Sequence, residues 1–164
     1  MPSLRPIAPI ILNFLTLVGA GFSIYLLAKL GRKTILQAGT FILTVTLTLI
    51  TVGFFILDKA YTAATVLIIF GLVVYMFTFG ATLGSVIWLY IAEICEPSYT
   101  ILATAITWIF AVIVIVFFPI LKSQLPNQSP AFLFLFFLLW TGLSFIVNHK
   151  VLIETKGKTE IQIQ

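Results

Sequence analysis

The chain has 164 residues, of which 61% are hydrophobic and only 9% are charged, with a formal net charge of +4. Because soluble domains carry about 25% charged residues, this composition excludes a domain folded in water and indicates an integral membrane protein. The nine Lys and Arg residues lie in short connections and form no basic patch with interleaved aromatic residues, which excludes a nucleic-acid partner.

The charged residues, nine basic and five acidic, leave five long uncharged segments between them. A helix needs roughly 20 apolar residues to cross the hydrocarbon core, and a charge at its centre costs about 2.5–3.5 kcal/mol. Helices satisfy their own backbone, whereas these segments are too long and too evenly apolar for barrel strands. The pattern predicts an all-α membrane protein with five transmembrane helices, near residues 7–28, 35–57, 63–92, 101–121 and 131–149.

The first predicted helix, near residues 7–28, could instead be a signal peptide. Its basic flank is only Arg5, and its apolar stretch exceeds the usual length of about 7–15 residues. The small residues from Gly19 to Gly21 would offer a cleavage site, so this alternative stays beside the favoured interpretation as a transmembrane helix.

A basic connection follows the first helix and predicts the orientation of the chain. It contains Lys29, Arg32 and Lys33, and three more lysines lie in the tail, residues 150–164. Connections rich in Lys and Arg stay in the cytoplasm. We therefore expect both regions to be cytoplasmic and, with five spans between the two termini, the N-terminus to lie outside.

The third predicted helix, near residues 63–92, is longer than a bilayer requires. The segment from Gly80 to Gly84 begins and ends with glycine, a spacing that lets helix backbones approach closely or bend. We expect this helix to tilt, to kink or to carry an irregular turn around these glycines.

Three short segments carry the most specific patterns of the sequence. They are AKLGRK at residues 28–33, GSVIWLYIAEI at residues 84–94 and ETKGKT at residues 154–159, and they follow the first, third and fifth apolar segments. In the first of them, the glycine permits a tight turn and the basic pair favours the anionic face of a membrane.

These segments resemble the motifs of the sugar porter family, which transports sugars and inositol within the major facilitator superfamily. The family has D/E-R-x-G-R-R/K between its eighth and ninth helices, G-P-x-P-W-x-x-x-x-E-I/L at the tenth, and P-E-T-K-G-K/R-T after the twelfth. Here Ala28 replaces the first acid, Ser85 and Ile87 replace the two prolines, and Ile153 precedes the tail motif. The resemblance implies helices eight to twelve of a transporter, the C-terminal part of the fold.

The resemblance also implies a sugar site with four candidate residues. Trp88 would stack on the C–H face of a sugar ring, beside a helix interrupted near Gly84, as transporters often have at their sites. Asn13 is the one amide in the first helix. It lies one turn from the position of the family's sugar-contacting Asn, which Thr16 occupies. The alternatives are packing against lipid or helices for Trp88 and an interhelical hydrogen bond for Asn13.

A charge network at the cytoplasmic face is a further implication of the resemblance. Its members would be Arg32, Lys33, Glu93 and Glu154, and it would lock the outward-facing state and break on inward opening. Exposed ion pairs are worth at most about 1 kcal/mol each, which is enough to bias two nearly balanced states. Ordinary solvated loop charges are the alternative.

No enzyme, metal site or cofactor is expected. Cys95 and His149 are the only Cys and His, and neither has a partner at metal-ligand spacing. The implied function is transport of a hexose-like sugar by alternating access, with the lipid bilayer and the sugar as partners.

Major facilitators bind their substrate between two six-helix halves. We therefore expect the 164 residues to be a partial product that needs an N-terminal half or another membrane subunit. The alternatives are a non-transporting scaffold derived from a transporter, or an unrelated five-helix protein whose motifs arise by chance.

Overall fold

The computed structural model describes residues 7–124 and 130–157. The helices in these ranges are α1 Ile7–Lys29, α2 Arg32–Ile56, α3 Tyr61–Ala81, α4 Leu83–Ile94, α5 Pro97–Gln124 and α6 Pro130–Val151. No strand occurs in the described ranges. The last part of the predicted tail, residues 158–164, lies outside them.

Five segments are long and apolar enough to cross a bilayer, because α3 and α4 together form one span, Tyr61–Ile94. The other four are α1, α2, α5 as far as Ile120, and α6. The predicted fold class, an all-α integral membrane protein with five transmembrane helices, is confirmed.

The third span is interrupted at Thr82, whose φ of −127° and ψ of −91° leave the helical region. Its hydroxyl donates to the Thr78 carbonyl at 2.7 Å, and the Ser85 hydroxyl donates to the Gly80 carbonyl at 2.9 Å. Side chains therefore satisfy backbone carbonyls at the break, as a bilayer interior demands. The interruption falls within the segment from Gly80 to Gly84, where the sequence predicts an irregularity.

The helix α2 lies at the centre of the bundle. It packs along α3 on one side and along α6 on the other, and α3 in turn packs along α1. By contrast, α5 touches only α4 and α6 within the described residues, and none of its span is buried. The bundle is thus well packed on the α2 side and open along α5.

Glycines bring α1 and α2 close to the third span. Gly19 faces the Phe77 carbonyl, and Gly39 faces the Thr82 side chain, so that a Cβ at either glycine would overlap these atoms. Small residues permit this close approach of helix backbones in membranes. The contact of Gly39 with Thr82 also ties the break to the central helix.

Candidate functional site

Three parts of the chain that are distant in sequence meet at one end of the bundle. They are the turn between α1 and α2, the last turn of α4, and the segment that follows α6. We call this region, residues 28–33, 90–93 and 152–157, the charged end. It contains the whole first motif segment, residues 90–93 of the second, and residues 154–157 of the third.

An ion pair between Arg32 and Glu93 joins α2 to α4. Nη2 and Nε of Arg32 lie 2.8 and 3.1 Å from the same carboxylate oxygen, Oε1. The other oxygen, Oε2, accepts a hydrogen bond from the Thr155 hydroxyl at 2.5 Å. The two charged side chains are only 20% and 24% exposed, so water screens this pair less than a pair on an open surface. Glu93 thereby links the central helix, the half-helix α4 and the tail.

Glu154 acts as the N-terminal cap of α2. The helix begins after Gly31, and no side chain of its own turn caps it. Oε1 of Glu154 accepts the Arg32 N–H at 2.9 Å and the Lys156 N–H at 3.0 Å. A carboxylate at this position pairs an otherwise free N–H and lies at the positive end of the helix dipole.

Gly31 makes the approach of Glu154 possible. A Cβ at residue 31 would overlap the carboxylate of Glu154, with 2.7 Å to Oε1 and still closer contacts to its other carboxyl atoms. The glycine of the turn motif is therefore required by a contact with the tail motif. The sequence suggested only that this glycine permits a tight turn.

Tyr90 binds the tail from a buried position. Its hydroxyl donates to the Ile153 carbonyl at 3.1 Å and accepts the Ile153 N–H at 2.9 Å. The ring is 6% exposed and packs in a cluster with Ile35, Leu36 and Val86. Sequence reasoning missed both Tyr90 and Thr155. The available signal for Tyr90 is its position three residues before Glu93, on the same face of α4.

The predicted charge network is brought together in three of its four members, Arg32, Glu93 and Glu154. Lys33 makes no ion pair or hydrogen bond with a side chain in the part of the chain that the structure describes. It follows Arg32 directly, so it points about 100° away around the helix. Lys156 is bound instead, since its ammonium donates to the Ala28 carbonyl at the C-terminal end of α1, 2.9 Å away.

Trp88 and Gly84 lie on α4, just beyond the break at Thr82. Gly84 is closely packed, because a Cβ there would lie 3.0 Å from the Phe79 carbonyl. Trp88 is 37% exposed and stacks on Trp108 of α5, with ring centroids 6.4 Å apart and planes inclined by 22°. The two predicted residues are four apart and so share one face of the half-helix.

Asn13 and Thr16 lie on α1 and differ in their surroundings. Asn13 is exposed, and the described residues offer it no hydrogen-bond partner. Thr16 is half-buried against α3: its hydroxyl donates to the Leu12 carbonyl at 3.2 Å and lies 3.7 Å from Sδ of Met76. No hydrogen bond or ring contact joins either residue to Trp88 within the described chain.

The bundle offers no metal centre in residues 7–124 and 130–157, where no three His, Cys, Asp or Glu side chains are grouped to hold an ion. The contacts at the charged end are hydrogen bonds and the ion pair between Arg32 and Glu93. Such an arrangement can hold three segments together and release them again.

Comparison with known proteins gives one consistent answer. The model of the family "Sugar (and other) transporter" matches residues 5–164. "Hexose transporter 1" of Plasmodium vivax is 32% identical over 151 residues, which cover 90% of this chain and 29% of the relative. The protein of that name in Plasmodium yoelii yoelii is 30% identical over 145 residues, 82% of this chain and 26% of the relative.

A third relative, "Hexose transporter 1" of Plasmodium falciparum (isolate 3D7), is 30% identical over 139 residues, covering 82% of this chain and 27% of the relative. The chain thus spans less than a third of the length of each of these three relatives. The family match covers nearly all of its residues, including the three motif segments. The chain belongs to the sugar transporter family.

Proposed function

We propose that the chain forms helices eight to twelve of a transporter that moves a hexose-like sugar across a membrane by alternating access. The observation that carries this proposal is the meeting of Arg32, Glu93 and Glu154, one from each motif segment, at the charged end. Family membership and relatives named hexose transporters support the sugar as substrate.

The proposed sugar contact is Trp88. Its ring is partly exposed on a half-helix that begins at a break in the span, and transporters place substrates beside such breaks. Gly84, one turn before Trp88 on α4, lets the half-helix pack closely against the Phe79 carbonyl. Asn13 and Thr16 on α1 are proposed as polar contacts for the sugar. Of the two, Asn13 is the better placed, because its amide is exposed.

The proposed role of the charged end is to stabilise one of two conformations. Glu93 and Tyr90 both lie on α4, and both bind the segment after α6, while Arg32 holds Glu93 from α2. Each contact is weak by itself, since a partly exposed pair contributes about 1 kcal/mol or less. Together they can favour the closed arrangement, and a movement of α4 about Thr82 would break them as a group.

The orientation that fits this role places the charged end in the cytoplasm and the N-terminus outside. Lys29, Arg32, Lys33, Lys150 and Lys156 lie at or next to this end, whereas the connection between α2 and α3 carries one acid and one base. The excess of basic residues on one side favours that side as the cytoplasmic one.

Further transmembrane helices are proposed to cover α5, from an N-terminal half or from another membrane subunit. The space between α5 and α6 holds an apolar cavity of about 340 Å³, lined by Phe110, Phe137 and Trp140 among others. α5 has no buried residue in its span. A lone five-helix bundle is therefore not expected to transport.

Uptake of labelled hexose by transport-deficient cells tests this proposal. Cells that express the chain alone should show no saturable uptake. Co-expression with the part of the Plasmodium vivax relative that the chain does not match should restore it. Trp88→Ala should then abolish uptake, whereas Phe70→Ala, at an exposed aromatic residue of α3, should not. Robust saturable uptake by the chain alone would contradict the need for further helices.

A non-transporting scaffold is the second candidate, and one contact favours it. Trp88 already stacks on Trp108, so its ring has a structural partner without a sugar. Protection of tryptophan fluorescence from a water-soluble quencher by added hexose separates the two functions. A transporter site should protect Trp88, whereas a scaffold should show the same quenching with and without sugar.

A further inference from the structure

An apolar cavity of about 230 Å³ opens between α1 and α2 close to the charged end. Its walls include Phe22, Leu26 and Leu30 of the α1 side, Ile35 of α2, and Phe77 of α3. Almost all of the lining atoms are apolar. The cavity is separate from Trp88 and from the space between α5 and α6.

The apolar lining of this cavity suits a hydrocarbon chain better than water. An apolar cavity gives water no hydrogen-bond partners and stays dry, although its volume exceeds the roughly 30 Å³ that a water occupies. Leu30, Ala38 and Ile42 line it and are exposed, so it opens to the outside of the bundle, where a bilayer supplies acyl chains. A transmembrane helix, about 10 Å across, is too wide for it.

Lys29 is the last residue of α1 and lies next in sequence to Leu30, a residue of the cavity wall. Phe22 and Leu26 line the cavity, and Lys29 continues their stripe by one turn of α1. Tyr25 stacks on Phe22 with ring centroids 5.7 Å apart. The Lys29 ammonium lies 4.4 Å from the centre of the Tyr25 ring and is hydrogen-bonded to the Tyr25 hydroxyl. The contact with Tyr25 thus holds this charge at the C-terminal end of α1, and Lys29 directly precedes Leu30, which lines the cavity.

The described carboxylates do not neutralise this cation. Glu93 is paired with Arg32, and Glu154 binds the backbone N–H groups of Arg32 and Lys156. The structure records no ion pair for Lys29 among residues 7–124 and 130–157. The ammonium of Lys156, which donates to the Ala28 carbonyl, adds a second positive charge at the same end.

We propose that this cavity binds an acyl chain of an anionic phospholipid whose phosphate group lies against Lys29. Basic residues at the end of an apolar pocket between transmembrane helices suit such a lipid, because they satisfy its headgroup and its chain together. The proposal stands on the cavity and on Lys29, and it does not depend on sugar transport.

Native mass spectrometry of the purified chain tests the proposal, with phosphatidylserine and phosphatidylcholine of the same acyl chains added in equal amounts. The chain should retain phosphatidylserine in preference. Lys29→Gln should lower this preference roughly fivefold, as expected for one cation near an anionic lipid. The control Lys59→Gln, an exposed lysine at the other end of α2, should leave it unchanged.

A second pair of variants tests the cavity itself. Ala38→Phe places a ring in the opening and should reduce retention of both lipids, whereas Ala105→Phe, at an exposed alanine of α5, should not. Equal retention of the two lipids by the unmodified chain would overturn the proposal, as would unchanged retention in Ala38→Phe. Displacement of phosphatidylserine by inorganic phosphate alone would also overturn it, because it would indicate an ion site without a chain site.

Discussion

At the scale of single residues, one hydroxyl group connects the half-helix α4 to the tail. The Tyr90 hydroxyl both donates to and accepts from the backbone of Ile153, where the chain has left α6 and has no helical partner of its own. The hydroxyl thus pairs both backbone groups of Ile153, which a further helical turn would otherwise pair. Glu93, one turn further along α4, accepts a hydrogen bond from the Thr155 hydroxyl and so also binds the tail.

Tyr90→Phe should therefore release the tail while it leaves the apolar cluster around the ring in place. The Ile153 N–H and C=O would lose their hydroxyl partner, and because Ile153 is itself 50% exposed, each lost hydrogen bond costs about 0.5–1.5 kcal/mol. Hydrogen exchange should quicken at residues 152–156, and the thermal unfolding midpoint in detergent should fall. Tyr61→Phe, at a residue that is 72% exposed, should change neither. Unaltered exchange in Tyr90→Phe would refute the role of the hydroxyl.

Gly31→Ala should remove the cap of α2, because its Cβ would occupy the space of the Glu154 carboxylate. Loss of a helix cap costs about 1 kcal/mol. If the two residues share this contact, Glu154→Gln should cost much less stability in the Gly31→Ala background than in the natural sequence. The unfolding midpoint measures both effects. Gly142→Ala, which meets no atom within 4 Å, serves as the control and should be neutral or slightly stabilising.

At the scale of helices, the sequence predicts much of the fold because the charges are so unevenly placed. The five spans follow from the uncharged segments alone, since a bilayer interior tolerates these segments only as helices. The helices nevertheless extend beyond the uncharged segments: α2 begins at Arg32, and α5 continues through Lys122 to Gln124. The start of α5 coincides with Pro97, a residue favoured in the first turn of a helix.

The position of the break and the partners of the tail could not be predicted in the same way. Two glycines marked the segment, but the interruption falls between them at Thr82, where Gly39 of another helix packs. The family resemblance predicted that Arg32, Glu93 and Glu154 come together. The contacts of Tyr90 and Thr155 depend on the path of the tail, and no local sequence pattern predicts that path.

Gly39→Ala should push the central helix away from the break in the third span. Its Cβ would lie 2.5 Å from Cβ of Thr82, and such overpacking typically costs about 1–3 kcal/mol. We expect a lower unfolding midpoint in detergent. Gly21→Ala on α1 meets no atom within 4 Å and should not lower the midpoint. If both variants are equally stable, the close contact between α2 and the break does not contribute to folding.

At the scale of the whole molecule, side-chain contacts join the helices at the charged end, whereas the surface of α5 is left exposed along its span. The charged end ties α1, α2, α4 and the segment after α6 together through side chains. Among residues 7–124 and 130–157, by contrast, α5 is in contact only with α4 and α6. The proposed orientation in the membrane follows from where the basic residues of the chain collect.

Labelling with a membrane-impermeant maleimide tests that orientation. In a Cys95→Ser background, single cysteines at Leu30 and Lys150 lie at the two ends of a path that crosses the bilayer four times, so both must face the same side. Basic residues surround both positions, so we expect both to react only after the membrane is permeabilised, whereas a cysteine at Lys59 reacts in intact cells. Labelling of residues 30 and 150 from opposite sides is incompatible with the contact between Lys156 and Ala28, and with the five-span fold itself.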